Sequence, residues 1–461
     1  MTEPTRRQFG LGSAALAALG CGPRAIGETM PPTLIIDQQS AAIDSPVAIE
    51  VRGFPPHRPV SLTATETFPS GSRWQAEATF ISDENGHVDV VQQAPVSGSY
   101  DGVAPMGLFW SMARLPGEAL PIPADSMMRP FRVHLEAKSA EGLAAAAEFE
   151  RRVAMPGVTR QPIRTAGLVG TLFLPPGDGR FPTVIVVSGG GGAIEEFRAA
   201  VLASHGYAGL ALAYFAQPGL PRGLVNIPLE YFEGAIAWVR AQPWFSDRLL
   251  AVSGVSRGGE LALLLGATFP EIGAVMAWAP SGVVFWALGL AESGDTRPRA
   301  AWTFRGKPLP FLQENNTAGD PVPTVEPGHP VAYAPFYRSQ LRDVLAVERA
   351  TIPVEKIRGP VQLVSGMDDQ MWPSSDLADI AFRRLEAHRH PFAFHHLRYP
   401  GAGHSILVPY WPLTSARVST LQVEGLRDVL LTQGGSVKAD AEAGIDAWRD
   451  SLAFLAAATK P

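Results

Sequence analysis

Cysteine is almost missing from this chain: Cys21 is the only one in 461 residues. No intramolecular disulfide can form, and stability must come from packing alone. Uninterrupted apolar runs of about 18 residues are missing too, which removes a transmembrane helix. There is no long basic run, the net charge is −6, and aromatic residues do not alternate with Lys or Arg along any face. Nucleic acid is therefore not an expected partner. No repeat of fixed period is visible. Glycine and proline, at 46 and 42 residues, stay below the share of a low-complexity chain. What is present is 46% apolar content in a chain too long for one ordinary domain, enough for two cores in a loop-rich globular protein.

The first 27 residues read as an address. Thr5-Arg6-Arg7-Gln8-Phe9 precedes the small, apolar stretch Gly10 to Gly20, the pattern of a twin-arginine export signal. The expectation is export to a bacterial periplasm, or anchorage at the outer face of the membrane. Cys21 ends the stretch where a lipoprotein would be cut and acylated, and that lipid would be the only tie to a membrane. Ala18-Leu19-Gly20 is a poor lipobox, so a cleaved soluble form stands as the alternative.

Two textures follow. From Thr33 to about Val153, short period-two segments such as Val47 to Val51, Val60 to Ala64 and Phe131 to Leu135 predict strands of a β-sandwich. Asn85-Gly86, between Ala76 to Phe80 and Val88 to Val91, predicts a tight hairpin. After Pro156-Gly157 and a linker at Pro162 to Arg164, strands alternate with helices. Thr183 to Ser188 is followed by four glycines and a helix from Ala193 to His205; Ala208 to Tyr214, Leu229 to Gln242 and Ala274 to Ala279 continue the alternation. This predicts a mostly parallel, doubly wound α/β sheet. About 70 residues rich in Pro, Gly and Trp then interrupt it before Val361 to Ser365, a length that suggests a cap over the site.

Gly254-Val255-Ser256-Arg257-Gly258 lies between the apolar run Leu249 to Ser253 and a helix-like stretch ending near Thr268. A serine at such a strand-to-helix corner is a nucleophile elbow, with glycines flanking it because the backbone turns so tightly. A serine hydroxyl needs a base, and the base needs an anion to fix its tautomer. Gly401-Ala402-Gly403-His404 and Gly366-Met367-Asp368-Asp369 each follow a predicted strand, at the sheet edge where α/β folds bind ligands. Of ten histidines, His404 alone has this placement. His388, His390, His395 and His396 fall near a helix end and a strand start, which suggests solvated or capping roles. Asp368 and Asp369 compete as the acid, since adjacent loop residues point different ways and the other would cap the next helix or meet solvent. Oxyanion donors are expected from the N–H of Arg257 and from the Gly189 to Gly192 loop, Gly190 and Gly191 foremost. This chemistry requires neither metal nor organic cofactor.

Several longer motifs carry a resemblance. Ser97-Gly98-Ser99-Tyr100-Asp101-Gly102, Pro105-Met106-Gly107-Leu108-Phe109-Trp110, Gly170-Thr171-Leu172-Phe173-Leu174-Pro175-Pro176, Gly254-Val255-Ser256-Arg257-Gly258-Gly259-Glu260-Leu261 and Tyr399-Pro400-Gly401-Ala402-Gly403-His404 are similar to the acyl-CoA thioesterase and bile acid-CoA:amino acid N-acyltransferase family. The resemblance implies an immunoglobulin-like sandwich over 28–157 and an α/β-hydrolase domain over 158–461, after the address at 1–27. It implies Ser256 as nucleophile, Asp369 rather than Asp368 as acid, and His404 as base. The implied activity is hydrolysis of acyl thioesters through an acyl-serine. Relatives that conjugate amino acids carry cysteine at the elbow, so Ser256 favours water as acceptor, with an acyltransferase or an exported carboxylesterase as alternatives. The implied partner is a small acyl thioester or ester, and the oligomeric state is left open. This chain departs from the family after His404, where Ser405-Ile406-Leu407-Val408 lacks the Glu-Pro pair before Pro409-Tyr410, and at Ala193, which replaces a glycine.

Overall fold

Strands Pro59–Thr67 and Arg73–Ile81 alternate buried and exposed residues, so each turns one face inward. The structure, a computed structural model, describes residues 31–117, 121–288, 299–313, 323–326, 328–421 and 429–460. The two strands join Phe131–Ser139, Ala144–Arg152 and shorter segments in the larger of two facing sheets. The smaller sheet pairs Thr33–Ile36, Ile49–Arg52 and Val88–Asp89. Ile49, Val51, Leu62, Phe80, Val133 and Leu135 fill the space between them.

The Asn85-Gly86 turn forms but is not a hairpin. Gly86 has φ 72°, and Asp83 Oδ1 accepts from the N–H groups of Asn85 and His87 at 2.8 Å each. Arg73–Ile81 pairs with Pro59–Thr67, whereas Val88–Asp89 pairs with Ile49–Arg52 in the opposite sheet. Turn chemistry sets a reversal of direction but not the partner strand. Here the Phe54 N–H donates to the Gly86 carbonyl at 3.2 Å, and this contact carries the chain across the sandwich.

The second sheet has eight strands: β1 (Thr159–Thr165), β2 (Leu168–Leu174), β3 (Phe181–Val187), β4 (Ala208–Ala213), β5 (Phe245–Val255), β6 (Ala274–Trp278), β7 (Val361–Gly366) and β8 (Phe394–Tyr399). Their spatial order is β1-β2-β4-β3-β5-β6-β7-β8. β2 runs antiparallel to β1 and β4, and the pairs from β4 through β8 are parallel. The expected linker at Pro162 to Arg164 lies inside β1. Pro162 is tolerated there because β1 is an edge strand, where a missing donor breaks no second ladder.

Helices cover both faces because successive strand residues point to opposite sides. Val184 and Val186 pack with α1 (Glu196–Ser204) and the C-terminal helix Val437–Ala458. Ile185 and Val187 pack on the side of Glu230–Arg240, Arg257–Thr268 and Ser374–Ala387. In chain order these become α2 (Glu230–Arg240), α3 (Arg257–Thr268), α4 (Ala334–Gln340), α5 (Val344–Ala350), α6 (Ser374–Ala387) and α7 (Val437–Ala458). α4 and α5 belong to the long excursion between β6 and β7. The fold is an α/β-hydrolase domain preceded by a β-sandwich.

Sandwich and sheet share one compact unit, Pro32–Pro461. At their junction Arg151, fully buried, donates from Nη1 to both Glu66 oxygens at 3.1 Å and from Nη2 to the carbonyls of Ile43 and Tyr410 at 2.9 Å. Burial pushes Glu66 up and Arg151 down, and each resists through attraction to the other. Asp44 Oδ2 accepts from the Trp448 indole at 2.7 Å and lies 2.6 Å from His205 Nε2.

Candidate active site

β5 delivers Ser256 to a corner with φ 59° and ψ −122°, a conformation that L-residues adopt only when their surroundings force it. The surroundings are the glycines. A Cβ on Gly254 would lie 2.0 Å from the Gly258 carbonyl, and one on Gly258 would lie 2.3 Å from the Ser188 carbonyl. The Ser256 N–H donates to the Trp278 carbonyl at 2.8 Å, and its own carbonyl accepts from Gly259 at 2.8 Å and Glu260 at 3.1 Å. The residue stays half-buried at the mouth of α3, where the helix dipole favours developing negative charge.

The glycine loop after β3 lies against this corner. Gly189 approaches most closely, since a Cβ there would be 3.2 Å from Ser256 Cβ. A Cβ on Gly190 would meet Leu288 and Arg257, whereas one on Gly191 would meet nothing within 4 Å. The N–H groups of Gly190 and Arg257 have no backbone acceptor among the described residues. β3 is flanked by β4 and β5, so the loop opens at the switch point where α/β sheets bind ligands.

His404 Nδ1 lies 2.7 Å from Asp369 Oδ2, with both side chains buried. Asp369 Oδ1 accepts from the N–H groups of Met371 at 2.9 Å and Trp372 at 3.2 Å. Of the two adjacent aspartates, Asp369 meets the imidazole and Asp368 is exposed. A donor role for Nδ1 leaves Nε2 with its lone pair. Trp372 connects the two halves of the site. Its indole N–H donates to the Ala279 carbonyl at 3.0 Å, one residue beyond the carbonyl that holds Ser256, and its ring centroid is 6.3 Å from that of His404.

The Arg257 side chain, next after Ser256, reaches into the excursion. Arg257 Nη2 donates to the carbonyls of Phe285 at 3.2 Å and Trp286 at 3.1 Å, and Nη1 lies 3.1 Å from Glu260. Glu260 also accepts from the Trp302 indole at 2.7 Å. Burial pushes Glu260 up to about 7, against the pull of Arg257. Trp372, Glu260 and Trp302 were not singled out in the sequence. The Glu260 position, a lone carboxylate among the Leu and Ala of α3 and three residues after Arg257, is the one signal the sequence offers.

The histidine cluster corrects another expectation. His388 does end α6, but His390 is buried with Nε2 3.0 Å from the Gly359 carbonyl. His396 lies between Ser365 Oγ at 2.7 Å and Asp379 Oδ1 at 2.9 Å, a hydrogen-bonded Ser-His-Asp chain whose serine is fully buried on β7. The pleat of β8 turns His396 inward, and His390 is buried in the turn before it; neither is revealed by a strand start read in isolation. Burial pushes His396 down to about 4, against the pull of Asp379. An unfolded histidine takes its proton near 6.5, so this group withdraws stability as the pH falls from there toward about 4. Denaturant unfolding of His396→Gln should show a flatter pH dependence over that window. An unchanged slope would place the acid sensitivity elsewhere.

Among the described residues no group of three or more His, Cys, Asp or Glu is arranged to hold a metal ion, and no helix is long and apolar enough to cross a membrane.

The family model described as acyl-CoA thioester hydrolase/BAAT N-terminal region matches residues 44–165, and that described as BAAT/acyl-CoA thioester hydrolase C terminal matches 227–461. The chain is 32% identical over 428 residues to the Mus musculus peroxisomal succinyl-coenzyme A thioesterase, covering 89% of this chain and 93% of that one. It is 31% identical over 440 residues to Homo sapiens acyl-coenzyme A thioesterase 1, covering 92% and 96%. With the mitochondrial acyl-coenzyme A thioesterase 2 of Mus musculus it shares 32% over 420 residues, covering 89% and 86%. The first and third of these relatives overturn the expectation of bacterial twin-arginine export, since they are named as peroxisomal and mitochondrial proteins. Paired arginines before a small-residue run are a short pattern that basic leaders of several destinations share. Residues 1–27, Cys21 among them, lie outside the described residues. With both halves matched and its length nearly covered, the chain belongs to the acyl-CoA thioester hydrolase/BAAT family.

Proposed function

We propose that the protein hydrolyses acyl thioesters of coenzyme A through an acyl-serine. Ser256 Oγ attacks the thioester carbonyl while His404 Nε2 takes its proton. The tetrahedral oxyanion lies against the N–H groups of Arg257 and Gly190, with Gly191 the next donor along the loop. Collapse breaks the C–S bond, and His404 returns the proton to the departing thiolate. Water then repeats the attack on the acyl ester, and the carboxylic acid leaves with Ser256 restored. Asp369 holds the imidazole tautomer and balances its transient charge. The division of labour follows the segments proposed from sequence, with 28–157 as the sandwich and 158–461 as the catalytic domain.

The observation that supports this reading most is the 2.7 Å contact of His404 with Asp369 at the same sheet edge as a strained, glycine-flanked serine. Water is the favoured acceptor because an acyl-serine ester is a weaker acyl donor than an acyl-cysteine thioester. A panel of acyl-CoAs and p-nitrophenyl esters of matched chain length tests the substrate class. Acyl-CoAs should give the higher kcat/KM, with free acid as product. Higher values for the simple esters would indicate a carboxylesterase, and N-acyl product on adding glycine or taurine would indicate a transferase.

A further inference from the structure

α7 begins with its first turn already capped, since Ser436 Oγ accepts from the Ala439 N–H at 3.2 Å. The next residue, Asp440, is fully buried, yet the helix start does not need its carboxylate. Its Oδ1 accepts from the Gly403 N–H at 2.6 Å, immediately before His404, and its Oδ2 pairs with Arg417 Nη1. Arg417 Nη2 in turn donates to the carbonyls of Gly434 and Gly435.

Those glycines form a wedge. The Gln433 carbonyl accepts from the N–H of His404 at 2.9 Å and from that of Gln370 at 3.4 Å, and Gly434 bridges Asp369. A Cβ on Gly434 would lie 2.0 Å from the Asp368 carbonyl, and one on Gly435 would lie 2.2 Å from the Gly403 nitrogen. The segment 433–435 is therefore packed between the loop that bears Asp369 and the loop that bears His404, with main chain touching main chain on both sides.

Resting on the proposed function, we propose that Asp440 and Arg417 are positioning residues, clamping the His404 loop against the Asp369 loop from outside the reacting set. Stability alone does not call for an ion here, because a buried carboxylate is costly to desolvate and apolar packing often serves equally well. Geometry does call for one. The carboxylate fixes an amide adjacent to the base, its arginine fixes the wedge, and small displacements of a catalytic group reduce rate steeply. Burial pushes Asp440 up to about 6, and the anion of Asp369 adds to that, while Gly403 and Arg417 oppose it. The charged groups facing Asp440 from the packed elements are Arg417 and Asp369, with His404 one residue past the bonded amide.

The test compares Asp440→Ala, Asp440→Asn and Arg417→Met with the unaltered protein, following acyl-CoA hydrolysis across pH, thermal midpoint and the rate of fluorophosphonate labelling at Ser256. Asp440→Ala should lower kcat on the order of 10- to 100-fold with KM nearly unchanged. Asp440→Asn keeps an acceptor for Gly403 and should recover part of that loss. It also removes an anion beside the dyad, which disfavours the imidazolium, so the acid limb of its profile should move to lower pH by about half a unit. Unchanged kcat and pH profile in folded Asp440→Ala would overturn the clamp. Should that variant fail to fold, unchanged kcat in folded Arg417→Met, which loses the ion pair and the donors to Gly434 and Gly435, would overturn it. If the unaltered protein labels at Ser256 but does not cleave acyl-CoA, the substrate reading falls. The clamp is then decided by labelling rates, where equal rates across the variants would refute it.

Discussion

Asp369→Asn should slow turnover on the order of a thousandfold or more, although it changes a carboxylate to an amide of nearly the same shape. The reason lies in what the other oxygen does. Oδ1 faces the N–H groups of Met371 and Trp372, and only an oxygen can occupy that position without two donors colliding. The amide nitrogen of the variant must therefore face His404 Nδ1. There it donates rather than accepts, so Nδ1 becomes the acceptor and the proton moves to Nε2. The base then presents a donor to a serine that needs an acceptor. Asp368→Asn, on an exposed side chain, should leave kcat within a few-fold. Steady-state kinetics on the two variants decides the matter: comparable losses, or the reverse order, would reassign the acid.

The second large effect concerns Ser256. Ser256→Ala should abolish turnover, a loss on the order of 10^4-fold or more. Its stability should barely change, because a half-exposed hydroxyl contributes at most about 1 kcal/mol and alanine inherits the same φ of 59°. Ser256→Gly should be equally inactive yet more stable than the alanine variant by about 1 kcal/mol, since glycine enters this region without strain. Activity assays with urea unfolding of both variants test the pair. If glycine gave no gain, the corner would not be under the strain its dihedrals imply, and a collapse of stability in either variant would make Ser256 structural.

The elements that sequence made legible share a local cause. The elbow is written in the glycines around Ser256, because only their missing side chains let β5 turn into α3. The loop of Asp369 follows β7, whose apolar residues mark it as interior, whereas the loop of His404 follows β8, a polar strand at the end of the sheet, and is marked by the glycines on either side of Ala402. Features that misled, or stayed silent, depend on distant partners. Asn85-Gly86 encodes a reversal but not the sheet that receives the next strand. Pro162 reads as a breaker until it is known to lie at an edge. His396 gives no sign of a buried serine 31 residues away, and the 1–27 address followed a pattern that its relatives contradict. Asp440 looks like an ordinary polar residue in an alanine-rich helix, and its importance arises only when Gly403 and Arg417 arrive from elsewhere in the chain.

Arg151 reaches from the sandwich to the Tyr410 carbonyl, six positions after His404. Close by, the Leu413 N–H donates to the Trp110 carbonyl at 3.0 Å and the Thr414 hydroxyl to that of Met112 at 2.5 Å. The stretch that follows His404 thus has its scaffolding in a different module from His404 itself. A fragment cut at the module boundary would keep Ser256, Asp369 and His404 and still lose the trellis on which the last of them hangs. Sandwich and sheet form one compact unit, and transplanting the α/β half onto another partner would require these three attachments to go with it.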